Sequence, residues 1–377
     1  MSDESNSAGD VVFDQQAVQS PDAWRRVGKP LGDVAWLQEG FLDLEGEFLL
    51  RQLAAESVYA QGPPRTKCII CESQMDGIVS YARSTVRYAQ CATCGHFNGL
   101  FELSDAFARW AYQDQKDSQD ATQPYASDFA AGKLAEEYDE VVHRIYVPKA
   151  EFLREALARD GTGSAHTRIV DVGCGAGHFL SALRASGFNE CHGFDTLASA
   201  VNTAKSRDEL AGIVDLVPLD HALQFFAAGS ADVVSMMCVL PHLDDPVGAL
   251  RLMSRSGGFR YTFQKLPMWS FATLLEAAFP EARARVLGMD HTHVFTAESL
   301  KWIEENVGLR RVASWSFGSD ALDLQRKLLQ RMSQSNTTSE FRALAAVQLT
   351  DFAEALQGAI DETGLSSEIH VVWEFRR

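Results

Sequence analysis

Positive charge is scarce in this sequence: 34 Lys and Arg stand against 51 Asp and Glu, a formal net charge of −17 over 377 residues. A polyanion would meet a repulsive average field, so nucleic acid is a poor default partner. Long apolar runs are missing too. None approaches the roughly 20 residues needed to cross a bilayer, so no membrane span is expected. The opening MSDESNSAGD has neither a basic start nor an apolar stretch. That argues against a secretory signal and for a flexible tail over residues 1–40 of a cytoplasmic protein. No internal repeat is found. Cysteine is sparse, seven in all, and an odd number argues against a closed disulfide framework.

Four of those cysteines nevertheless stand in two tight pairs. In CIICESQMDGIVSYARSTVRYAQCATCGH, Cys68 and Cys71 are followed after nineteen residues by Cys91 and Cys94, with Gly95 next. Four thiolates on two hairpin knuckles can close a tetrahedron around Zn²⁺. The stretch between them alternates like a short β-hairpin, and so short a module lacks the apolar mass to fold alone. A zinc ribbon with a structural, saturated metal is therefore expected. A helix from Phe41 to about Tyr59, patterned by Phe48, Leu49, Leu53 and Val58, precedes it, giving a helix-plus-ribbon unit over 41–111. Residues 112–164 read as a linker and helical cap.

From Thr167 the texture changes to short apolar strands alternating with helices, which predicts a mostly parallel sheet covered on both faces. Its first strand runs into glycines: RIVDVGCGAGHFL, with Gly173, Gly175 and Gly177. The Lys-Ser or Lys-Thr of a phosphate loop is absent, as is the third-glycine spacing of a dinucleotide fingerprint. Asp171, two residues before Gly173, puts negative charge where a pyrophosphate would bring more. A cationic ligand would be welcome there, which points to S-adenosylmethionine. Asp195 ends the next strand (HGFDT), 18 residues past Gly177, and Asp220 follows the third strand in VPLD. Either acid could be an ordinary strand-end cap. The fourth strand, ADVVSMMCVLPHLDDP, carries Val239 and then His242 at its C-terminal end.

Four such pieces in order resemble the class I S-adenosylmethionine-dependent methyltransferases, over about residues 165–310. The resemblance implies a doubly wound, Rossmann-like seven-stranded α/β sheet with its last strand antiparallel, here spanning 165–377 with a helical insertion at 320–363. It also implies cofactor contacts at Asp171, Gly173, Gly175, Gly177, Asp195, Asp220 and Val239. With the ribbon ahead of it, the stretch from about 65 to 315 resembles bacterial methyltransferases that act on sugars. DHTHVFTAESL (Asp290–Leu300) is similar to the segment after their fifth strand. The implied partner is a small, sugar-like acceptor. Two departures from the sugar C-methyltransferases, only about 60 residues after the sixth strand and Asp195 where Glu is usual, favour O-methylation (or N-methylation) over C-methylation.

A hydroxyl is a poor nucleophile near neutral pH, so a base within hydrogen-bond reach is expected. His242 is the first candidate because ligands bind at the C-terminal ends of such strands; His291 and His293 are the next. Tyr138 and Tyr146 either close over the cofactor or pack in the core. Two other functions stay open. One is an RNA methyltransferase using the ribbon as a clamp, for which Arg65, Lys67, Arg83 and Arg87 are only a modest cluster. The other is a non-catalytic cofactor-binding scaffold.

Overall fold

The computed structural model describes residues 23–36, 45–75, 81–83, 86–104, 106–107, 137–287 and 291–376. Twelve strands arise among them: β1 (Trp24–Val27), β2 (Tyr81–Arg83), β3 (Val86–Gln90), β4 (Phe97–Gly99), β5 (Ile169–Val172), β6 (Cys191–Asp195), β7 (Val214–Leu216), β8 (Ala231–Met237), β9 (Phe259–Pro267), β10 (His293–Val294), β11 (Leu309–Phe317) and β12 (Glu368–Phe375). Eight make one sheet in the order β1-β11-β12-β9-β8-β5-β6-β7. β12 runs antiparallel to both β9 and β11, and the other pairings are parallel. Central strands such as β8, ADVVSMM, are apolar on both faces because helices cover each side.

The helices of eight residues or more are α1 (Glu45–Tyr59), α2 (Val147–Arg159), α3 (His178–Ala185), α4 (Ala198–Lys205), α5 (Leu219–Ala228), α6 (Pro246–Ser256), α7 (Phe271–Ala278), α8 (Ala297–Val307), α9 (Asp320–Ser333) and α10 (Ser339–Glu362). Their ends follow local chemistry. Asp245 accepts from the Gly248 N–H at 2.7 Å to start α6, and Gly257 ends it at φ +65°. Thr296 and Ser299 form a capping box on α8, and Gly308 closes it at φ +80°. One face of the sheet packs Phe226, Leu250, Met253, Leu300 and Ile303; the other packs Phe152, Phe179, Leu183 and Trp315.

The sheet has one strand more than the seven expected. Residues 24–27, read from sequence as part of a flexible tail over 1–40, pair in parallel with β11. Trp24 stacks on Phe152 at 5.1 Å, and Trp315 Nε1 donates to the Gly28 carbonyl at 2.8 Å. An edge strand leaves a row of unpaired backbone groups, and this short segment satisfies them. Helix α1 forms as expected but turns a different face inward: Gln52, Ala55, Glu56 and Tyr59 are buried, while Leu53 is 37% exposed. Polar anchoring accounts for that face, since Gln52 Nε2 donates to the Leu287 carbonyl and Gln52 Oε1 accepts from Ala284 N.

The four-cysteine module is not a separate bead. Its antiparallel sheet runs β10-β4-β3-β2, and β10 comes from the segment after α7 of the larger unit. The Gly99 N–H donates to the Thr292 carbonyl at 2.8 Å, and Thr296 Oγ1 donates to the Gly95 carbonyl at 3.2 Å.

Candidate active site

Order in the large sheet puts β5 between β6 and β8, so the chain leaves β5 in one direction and later returns on its other side. A crevice opens at the carboxyl ends of strands at such a switch point. The three glycines sit there, at φ +68° (Gly173), +56° (Gly175) and +83° (Gly177). These values suit a residue without Cβ. Space matters as well: a Cβ on Gly173 would meet Val239 Cγ2 at 2.5 Å, and one on Gly177 would meet Leu210 Cδ1 at 2.4 Å. Around Gly175 nothing lies within 4 Å, so its open side faces the crevice.

Asp195, at the end of β6, braces this loop. Its Oδ2 accepts from the Gly175 N–H and its Oδ1 from the Leu197 N–H, both at 2.8 Å. Asp171 lies beneath the loop, 1% exposed, with Oδ1 accepting from Ser235 Oγ at 2.7 Å. Burial raises its carboxyl to about 7, against the opposing Ser235 hydrogen bond, and Asp195 pushes the same way as burial. Asp220 falls in the first turn of α5; its side chain is outside the described residues. Cys238, between β8 and Val239, holds φ +61°, an uncommon strained conformation for a residue with a side chain. A π-helical turn, Val142–Tyr146, roofs the loop. There Tyr138 and Tyr146 both stack on His178, with ring centroids at 4.3 and 5.5 Å.

The histidines separate into two pairs. His242 and His291 stack at 5.3 Å with their planes 16° apart, beside the end of β8. His293 is 2% exposed, and its Nδ1 shares a 2.8 Å hydrogen bond with His96 Nε2 of the four-cysteine module. Burial holds His293 well below the usual imidazole range. It belongs to the joint between the two sheets, away from solvent. Asp290, beside His291, is outside the described residues.

Sγ atoms of Cys68, Cys71, Cys91 and Cys94 all lie within 4.8 Å of one another, and none is in a disulfide. Cys68–Cys94 and Cys71–Cys91 separate by 3.6 and 3.5 Å. A tetrahedron of metal–sulfur bonds of about 2.3 Å has edges of about 3.8 Å, so the cage fits Zn²⁺ with little adjustment. Donors surround the sulfurs: Ile70 N–H and Asn98 Nδ2 each reach Cys68 Sγ at 3.5 Å, and Ser73 Oγ lies 3.0 Å from Cys71 Sγ. Such donors stabilise thiolate charge.

Residues 133–314 match the profile of a family described as "Methyltransferase domain". That stretch is a methyltransferase domain. Curated relatives include a ubiquinone biosynthesis O-methyltransferase from Ralstonia nicotianae, 32% identical over 126 residues, which are 31% of this chain and 52% of that protein. Another of the same name, from Cupriavidus pinatubonensis, is 30% identical over 139 residues, 33% of this chain and 55% of that protein. The chain thus spans about half the length of the curated relatives it matches. Among solved structures, a SAM dependent methyltransferase from Archaeoglobus fulgidus is 18% identical, covering 60% of this chain and 94% of that one at a TM-score of 0.36.

Sequence reasoning missed one cluster beside the methyltransferase domain's glycine loop. Lys149, in the first turn of α2, is buried with Nζ 4.9 Å from the Tyr146 ring centroid. Across from it, Lys265 Nζ pairs with Glu368 Oε2 at 2.8 Å, and Lys149 Nζ lies 3.9 Å from Glu368 Oε1. Burial, with the neighbouring Lys265 charge, lowers Lys149 to about 7. Burial pushes Glu368 up, but Lys265 and Lys149 outweigh it and hold the carboxylate well below its usual range. No spacing in the sequence announces this group, because its members come from α2, β9 and β12. The one available signal was a lysine inside an otherwise apolar helix face.

Proposed function

We propose that the chain is an S-adenosylmethionine-dependent O-methyltransferase acting on a hydroxyl of a small, sugar-like acceptor, with Zn²⁺ held by Cys68, Cys71, Cys91 and Cys94. One observation carries the donor half: three glycines at positive φ at the sheet's switch point, braced by the Asp195 carboxylate on the Gly175 N–H. In this reading Gly173, Gly175 and Gly177 bring the backbone against the donor, Asp195 takes its ribose hydroxyls, Asp220 lies near its adenine, and Val239 forms a wall. Asp171 supplies negative charge below the sulfur. The donor supplies a methyl on a sulfonium, which leaves as a neutral thioether.

Alignment and exclusion of water are then most of what the protein contributes. His242, stacked with His291 at the end of β8, takes the hydroxyl proton as the acceptor oxygen forms its bond to the methyl carbon. His293 acts only by holding this wall in place. O-methylation is supported by the O-methyltransferase activity for which the curated relatives are named and by Asp195. The zinc closes a structural cage and takes no part in transfer.

Calorimetry with S-adenosylmethionine, NAD and ATP tests the donor; uptake of NAD or ATP in its place overturns the reading. Transfer of labelled methyl to a panel of nucleotide sugars, free sugars and phenols, with mass spectrometry to locate the methyl, tests the acceptor. Methylation at carbon would refute the O-specific part alone.

A further inference from the structure

Helix α10 has two faces with different fates. Ala353, Gln357, Ile360 and Asp361 are buried against the body of the protein. α9 packs alongside, with Gln325 Nε2 donating to Thr350 Oγ1 at 2.9 Å. On the outward side a second series runs Phe341, Leu344, Gln348, Phe352, Ala355, Ala359, and all six are exposed. Phe341, Leu344 and Phe352 are 53%, 60% and 53% exposed. Steps of three, four, four, three and four residues are the seam of a helix that packs against another helix. Val347, 58% exposed, widens it. A monomer seldom leaves aromatic and Leu side chains in such a row in water.

The order of sizes along the seam says what covers it. If a second α10 lies antiparallel across a two-fold axis near residue 350, Phe341 faces the partner copy's Ala359 and Leu344 faces its Ala355. Gln348 then faces the second copy's Phe352. Each large side chain meets a small or unbranched one, which is how two helix surfaces interlock at normal packing density. Parallel pairing would instead stack Phe341 on Phe341 and leave Ala355 against Ala355, a clash at one end and a gap at the other. Gln348, the one polar member, would fix the register at some cost in stability.

We propose that α10 is a homodimer interface: two copies of this chain pair their helices antiparallel through the Phe341–Ala359 seam. This uses one isologous patch and closes on itself. From Phe341 to Ala359 the seam is about 27 Å long, one helix face wide. That alone falls short of the about 800 Å² per partner of a standard interface, so the dimer is reversible and concentration-dependent, with α9 flanking it. The inference stands whether or not the donor and acceptor readings hold.

Sedimentation equilibrium of the full chain over a concentration series tests it. A monomer–dimer equilibrium is expected, with Leu344→Glu raising the dissociation constant about tenfold or more. Ala355→Phe should weaken it as well, because it fills the space that Leu344 of the second copy needs. Leu50→Glu, on the exposed face of α1, should leave it unchanged. All three positions are exposed, so far-ultraviolet circular dichroism and the unfolding midpoint should match the parent. A chain that stays monomeric throughout, or a dimer indifferent to Leu344→Glu, refutes the interface. Strengthening by Ala355→Phe refutes the antiparallel arrangement.

Discussion

Asp195 does two jobs with one carboxylate, bracing Gly175 and pinning Leu197. Replacing it with Ala removes charge-assisted hydrogen bonds and loosens the loop together. Affinity for S-adenosylmethionine should fall by about 1.5–3 kcal/mol by calorimetry; unchanged affinity would remove Asp195 from the donor site. Asp171 makes a different prediction, about pH. Its folded value is about 7 against an ordinary 3.8, so the folded state keeps a proton that the unfolded chain releases between them. The associated stability is full below about pH 4 and is lost as pH rises to about 7. Asp171→Asn, which keeps an acceptor for Ser235, should therefore be the more stable protein at pH 8 by a few kcal/mol in urea titrations, with the gap closing towards pH 4. A cationic donor favours the ionised carboxylate. Its affinity should thus rise with pH through about 7 in the parent and stay flat in the Asn variant.

At the scale of elements, the joint between the four-cysteine module and the methyltransferase domain depends on strands of two residues or three. β10 supplies only His293 and Val294, so close backbone approach has to replace length. A Cβ at Gly99 would stand 2.4 Å from the Thr292 carbonyl oxygen and 2.5 Å from Tyr59 Oη. Gly99→Ala should cost about 1–3 kcal/mol and lower the unfolding midpoint; an unchanged midpoint would show that the joint yields freely. Cys68→Ser removes one wall of the sulfur cage. We expect metal loss by elemental analysis and faster proteolysis within residues 45–104, because a module with so small a core depends on its cross-link. A metal-free parent protein would refute the zinc assignment.

Across the whole molecule, charge and topology set what the chain can bind. No helix of the described residues is long and apolar enough to cross a membrane. With a net charge of −17, RNA should show no salt-dependent binding in fluorescence anisotropy at physiological ionic strength. Saturable RNA binding would revive the reading of the ribbon as a clamp, for which Arg65 offers little: its Nε donates to the Gly99 carbonyl.

Local signals made much of this legible. The glycine loop and the Thr296 and Gly308 caps act through neighbours a few residues away, while Asp195 reaches Gly175 across 20 residues and Cys68 reaches Cys94 across 26, so short motifs in the chain already mark them. Residues 24–27 were missed because a four-residue strand has no periodicity of its own and exists only where β11 offers an open edge. Leu53 was misplaced because two polar anchors at Gln52, not apolar content, orient α1. The histidine pairs and the lysine cluster were out of reach for another reason. Which histidine meets which, His242 with His291 and His293 with His96, depends on contacts between segments 49 and 197 residues apart. Burial, which moves Lys149 and Asp171 towards neutrality, likewise depends on how helices close over the sheet, a property of the packed chain and of no segment in it.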